Sequence, residues 1–127
     1  MAITGFHHLA IRVADFDQGV ATYRDTLGLP LDRISENEEL GIRQAFFNLP
    51  NGGFIEIISP TGSDSAVAKA LESRGEGIHT VAFAADDVEA TASAMKGAGA
   101  RLLGEGGPQV FVHPKSTHGM LLQLSKD

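Results

Sequence analysis

Between Gly5 and Asp15 the chain alternates. Leu9, Ile11 and Val13 fall on one side of a period-two strand, and His8, Ala10 and Arg12 fall on the other. The first side is apolar and suits packing against a helix. The second places a histidine and a cation on a face that is neither plain core nor plain solvent surface. The pattern returns at Gly77–Asp87, where Gly5 meets Gly77, His7 meets His79, Ala10 meets Ala82 and Asp15 meets Asp87, an offset of 72 residues. At the position of His8 the second copy has Thr80.

Each copy opens a longer unit. After the first strand (3–13), Asp15 stands where an N-cap belongs, and Phe16, Val20, Tyr23 and Leu27 predict a helix over 16–27 that Gly28 stops. Leu29–Ser35 predicts a short strand and Glu36–Leu40 a polar turn. Gly41–Asn48 and Phe54–Ser59 predict a hairpin around the Pro50–Gly53 turn. A linker helix over about 65–73 ends at Gly75. Strand 77–85, an alanine-rich helix 88–97 and short strands at 101–104, 109–112 and 119–125 complete the second copy. The expectation is an α+β fold in one domain, 1–127. It comprises two βαβββ modules (3–59 and 77–125) joined by the linker helix within 63–75, with a cleft between them into which His8 faces.

Composition narrows the function. Sixteen acidic against ten basic residues give a formal net charge of −6 and no basic stripe, which argues against nucleic acid as a partner. No apolar run approaches membrane-spanning length, and the N-terminus lacks a secretory layout. The absence of cysteine removes disulfides, thiolate metal sites and a cysteine nucleophile, and a cytoplasmic location is the simplest reading.

Three stretches carry a resemblance: FHHLAIRV near the start, FIEIISPTGSDSAVAKALESRGEGIHTVAF across the module junction, and HPKSTHGMLLQL at the end. The chain resembles the vicinal oxygen chelate superfamily, which includes glyoxalase I, extradiol dioxygenases and antibiotic-resistance proteins, and is most similar to its methylmalonyl-CoA epimerases. The resemblance implies a glyoxalase-like half-barrel, a homodimer, a small-molecule or acyl-CoA substrate, and a divalent metal (Co, Mg, Mn, Ni or Zn). One residue from each of four strands holds that metal in the family. The matching positions here are His8, Glu56, Thr80 and Gln123. Thr80 replaces a histidine, which leaves His8, Glu56 and Gln123 as the metal ligands of this chain. The resemblance also implies two carboxylate bases, and their positions hold Gln44 and Gln123. A glutamine amide forms hydrogen bonds but does not take a proton near neutral pH.

His8, Glu56, Gln44 and Gln123 are thus the expected catalytic positions, with His8 or Glu56 as the base. Glu56 has Phe54 and Ile58 on its own face, so it must be paired, protonated or metal-bound, and an ion pair with His8 is one solution. His7 and His79 should face the helix side and be structural, His7 pointing away from His8. His113, His118 and Lys115 belong to a solvated loop. The GEGG at 104–107 opens no helix and is no phosphate loop. Arg12 and Arg43 are candidate cations of the cleft. The expected function is an isomerase or lyase that works through an enolate of a small acyl-CoA or 2-substituted carbonyl compound. The alternative is a metal-free small-molecule-binding or resistance-type protein of the same fold.

Overall fold

The computed structural model describes residues 2–127. In chain order these form β1 (Ile3–Arg12), α1 (Phe16–Ala21), β2 (Leu31–Asn37), β3 (Ile42–Asn48), β4 (Phe54–Pro60), α2 (Ala66–Arg74), β5 (Gly77–Ala85), α3 (Val88–Gly97), β6 (Leu102–Leu103), β7 (Val110–Val112) and β8 (Leu122–Lys126). The class is α+β. The contacts divide the chain into two compact units, Leu9–His79 and the segment ending at His8 together with Thr80–Asp127. The division falls inside β1 and inside β5, at the two repeat-related positions that hold His8 and Thr80.

In the unit Leu9–His79 the strand order is β2-β3-β4-β1. One face of this sheet packs on α1: Val13, Phe16, Val20, Ala45, Phe47 and Ile57 form a cluster in which Phe47 and Ile57 are fully buried. Burying a side chain of that size stabilises by about 1.5–3 kcal/mol. Gly19 lets α1 lie this close, because a Cβ there would sit 2.8 Å from Val13 Cγ2. The other face packs on α2 through Ala10, Ile42, Ile58 and Val67. Ala10 therefore belongs to a core beneath the linker helix, not to an open face.

The expected helix over 16–27 is shorter. After Ala21 the chain widens into a π turn, Thr22–Thr26, closed by Leu27 N–H donating to Thr22 O at 3.0 Å. The wider turn keeps Tyr23 against Phe47, ring centroids 6.1 Å apart, and carries Leu27 off the apolar face to 57% exposure.

In the other unit β5, β8, β7 and β6 are neighbours in that order. Ala92 of α3 packs on Val110 and Leu124, with Val88 and Met95 beside it. The repeat survives in detail. Asp15 Oδ1 accepts from Gln18 N–H and Asp87 Oδ1 from Ala90 N–H, both at 3.0 Å, so each module caps its helix in the same way. His8, Ala10 and Arg12 are buried on β1, as are Thr80, Ala82 and Ala84 on β5.

Candidate functional site

In the unit Leu9–His79 the site is built on three adjacent strands. Register pairs Arg33 of β2 with Phe46 of β3, and Phe46 with Glu56 of β4, so the three side chains form one row on one face. Gln44 lies diagonally from Glu56 and donates from Nε2 to Glu56 Oε2 at 2.7 Å. Glu56 is only 8% exposed. Burial holds its carboxyl above the ordinary carboxylate range, and the Gln44 hydrogen bond and the charge of Arg33 offset part of that rise. A buried carboxyl held this way can accept a proton near neutral pH more readily than one in water. Phe54 lies beside Phe46 with ring centroids 5.7 Å apart, so one flank of Glu56 is aromatic.

Arg33 reaches this face through a β-bulge. Leu31 pairs with Phe47 on the α1 side, but the register shifts between Leu31 and Arg33, and Arg33 pairs with Phe46. Simple alternation from Leu31 would put Arg33 on the α1 side, which is why the sequence pattern gave no signal for it. Its guanidinium stacks on the Phe46 ring, 3.8 Å from the centroid.

The two candidate cations of the cleft have other duties. Arg12 is 6% exposed and donates from Nε to Gly75 O and from Nη1 to Ile78 O, both at 2.8 Å. With Glu76 Oε2 accepting from Ala14 N–H at 2.9 Å, it locks the RGEGIH segment onto β1. Arg43 lies over the Phe16 ring at 4.2 Å, on the α1 side, with Glu36 at 3.9 Å. His79 also lies in this unit, brought down to about 4 by burial and by the charges of Arg12 and Arg74. Its Nδ1 has no hydrogen-bond partner among the described residues.

In the other unit Gln123 shares a face with Ala82 and Phe111, its register partners on β5 and β7. Thr80 is 5% exposed and His8 7%. Burial, then the charge of His7, brings His8 down to about 4, so its imidazole is neutral at physiological pH. His7 does not point clear of it. Neighbouring side chains on a strand leave it on opposite faces, yet the two Nδ1 atoms meet at 2.8 Å, with ring centroids 5.0 Å apart. Within such a contact one nitrogen carries the proton and the other accepts it. His7 also lines a cavity of about 630 Å³ between α3 and the 104–108 loop, a cavity that includes Gln123 but not His8 or Thr80. His113 Nδ1 accepts from Lys115 N–H at 3.0 Å in a 3-10 turn, and Lys115 and His118 are exposed, as a solvated loop requires.

Whether a divalent ion suits this donor set is decided by chemistry. Among the described residues no three histidine, aspartate or glutamate side chains are gathered for a metal. Thr80 brings a neutral hydroxyl where imidazole would bind Zn, Co or Ni. As donor types, an imidazole, a carboxylate and an amide carbonyl suit an oxygen-preferring ion such as Mg or Mn better. Within each unit one of these donors is oriented by a neighbour: His8 Nδ1 meets His7 Nδ1, and Gln44 donates to Glu56.

Comparison with known proteins agrees with this architecture. Residues 7–115 match the family model of the glyoxalase/bleomycin resistance protein/dioxygenase superfamily. The chain is 35% identical to an ethylmalonyl-CoA/methylmalonyl-CoA epimerase of Cereibacter sphaeroides, covering 94% of this chain and 96% of that protein. It is 30% identical to the mitochondrial methylmalonyl-CoA epimerase of Homo sapiens, over 94% of this chain and 72% of that one. Among solved structures, the methylmalonyl-CoA epimerase of Mycobacterium tuberculosis superposes with a TM-score of 0.87 at 33% identity, covering 98% of this chain and 88% of that one. A variant of the Streptomyces coelicolor methylmalonyl-CoA epimerase in complex with 2-nitronate-propionyl-CoA gives 0.84 at 36% identity, over 97% and 96%. The chain belongs to the glyoxalase/bleomycin resistance protein/dioxygenase superfamily, on the branch of the methylmalonyl-CoA epimerases.

Proposed function

We propose that the protein is an isomerase or lyase that moves a proton at the carbon next to the carbonyl of a small acyl-CoA, methylmalonyl-CoA being the substrate to try first. The observation that carries this reading is the Gln44–Glu56 hydrogen bond. The family's β3 carboxylate position holds an amide here, and a carboxylate stands beside it on β4, oriented by that amide. Glu56 is the base: its carboxylate takes the α-proton, and the C–H electron pair moves onto the carbonyl oxygen to give an enolate. Stabilising that oxygen is the larger part of such catalysis. His8, Thr80 and the Gln123 amide are the groups proposed to act on it by hydrogen bonding. A divalent ion held by His8, Glu56 and Gln123 would supply charge stabilisation of the same oxygen.

Inversion needs a proton delivered to the opposite face. Neither Gln44 nor Gln123 can deliver one, which leaves His8 as the second candidate acid–base group. The enzyme therefore exchanges the α-hydrogen faster than it inverts the centre. Incubation with methylmalonyl-CoA in D₂O, followed by mass spectrometry, tests the reading. Absence of α-deuterium above the buffer rate defeats it.

Gln44 and Gln123 at the two family base positions favour a second reading, a small-molecule-binding or resistance-type protein without turnover. Tight ligand binding with no exchange is its signature. A cytoplasmic homodimer is the proposed setting; among the described residues no helix is long and apolar enough to cross a membrane.

A further inference from the structure

We infer that Arg33 is the specificity residue of this site: it selects acyl thioesters that carry a second, free carboxylate on the α-carbon. The inference rests on the acyl-thioester reading above and goes beyond it.

The warrant is the bulge. One extra residue, Asp32, between Leu31 and Arg33 turns Arg33 from the α1 side onto the face of Glu56, and Phe46 lies between them in register. Bulges that re-aim a side chain beside a site are built features of sheets. The Phe46 ring, 3.8 Å from Cζ, holds the guanidinium plane in place, and so reduces the entropy lost when its N–H fork binds an anion. Phe46 itself is 9% exposed, a fixed platform.

The cation is accessible. The Arg33 side chain is 59% exposed, and Asp32 stands 3.8 Å away and is itself 47% exposed. A pair of that kind contributes little in water and yields to a better anion. Glu56 is buried one strand beyond Phe46, so the cation flanks the proposed base, and its charge is felt there. A substrate whose α-carbon lies at Glu56 would direct an α-carboxylate toward an open guanidinium. A guanidinium binds a carboxylate by two parallel hydrogen bonds, a geometry that a methyl group of similar size cannot use.

The experiment compares two thioesters of the same branching, methylmalonyl-pantetheine and isobutyryl-pantetheine, which lack the phosphates of CoA. Calorimetric titration of the wild type, Arg33→Gln and Arg33→Lys gives the affinities. The wild type is expected to prefer the carboxylated ligand. Arg33→Gln should lose roughly ten- to a hundredfold on that ligand and change by less than about twofold on the other. Arg33→Lys should recover part of the loss. Equal losses on both ligands, or no loss on either, overturn the inference. So does a loss that appears only with the full CoA thioesters, because that assigns Arg33 to a phosphate. The same samples in D₂O separate the two readings. Selective binding without α-exchange leaves Arg33 standing and removes the enzyme. Exchange in the wild type with unaltered selectivity in Arg33→Gln does the reverse.

Discussion

Gln44 and Glu56 are not register partners, yet their side chains meet. Gln44 pairs with Ile58 and Glu56 with Phe46, and the amide reaches diagonally across β3 and β4 to donate at 2.7 Å. The buried carboxylate therefore has a neutral donor in place of a cation as its close partner on β3. That hydrogen bond fixes the orientation of the carboxylate, as a general base requires.

Glu56→Gln should abolish α-deuterium incorporation, a loss on the order of a hundred- to ten-thousandfold, while ligand affinity holds within a small factor. Gln44→Leu should reduce the rate less and move the acid limb of the pH–rate profile upward, because the removed hydrogen bond lowers the Glu56 pKa. A downward shift of that limb would contradict the assigned geometry.

Glu56 also carries a stability signature. Its folded pKa lies above the unfolded value, so the unfolded chain ionises first as pH rises. The protein therefore loses stability through that window, and the loss persists above the folded pKa. Glu56→Gln should raise the thermal midpoint relative to wild type at pH 7–8, with the advantage shrinking at pH 4. Differential scanning calorimetry at the two pH values checks the sign.

His79 and His8 act in the opposite sense. Both are lowered from 6.5 to about 4, so the unfolded chain takes up protons first as pH falls. Their contribution is fully present above about 6.5 and disappears as pH drops toward 4. His79→Gln should flatten the dependence of the midpoint on pH across that interval. An unchanged slope would show that His79 is not one of the titrating groups.

Arg12 ties the carbonyls of Gly75 and Ile78 to β1. Arg12→Ala should cost roughly 2–4 kcal/mol in urea unfolding, since two carbonyls lose a charged donor. Arg12→Lys, with one compact ammonium in place of a fork, should lose about half as much.

Gly19 is a packing prediction. A Cβ there meets Val13 Cγ2 at 2.8 Å and Ile57 Cγ2 at 3.2 Å. Gly19→Ala should destabilise by about 1–3 kcal/mol through overpacking, and adding Val13→Ala should return part of it. Additive losses in the double variant would mean that the two side chains do not compete for the same space.

The amino-acid sequence by itself determined whatever depends on near neighbours along the chain. Alternation put His8, Ala10 and Arg12 on one face, and the repeat put Thr80, Ala82 and Ala84 on its counterpart. Asp15 announced a helix start, and Asp87 is its counterpart in the repeat, because a cap needs only its own first turn. The family could be named from the sequence for the same reason: its motifs are local strings. Only the tertiary structure decided where those faces meet something else. Alternation could place Arg12 on the His8 face but could not foresee that the carbonyls of Gly75 and Ile78 would occupy it. It separated His7 from His8 by face, whereas their Nδ1 atoms meet at 2.8 Å. Nor could it detect the bulge before Arg33, since a shift of register is a property of two paired strands and is not encoded in the period of one. Gln44 and Glu56 were visible as residues, and their hydrogen bond was not, because a diagonal contact exists only once β3 and β4 are laid side by side with a fixed register and twist.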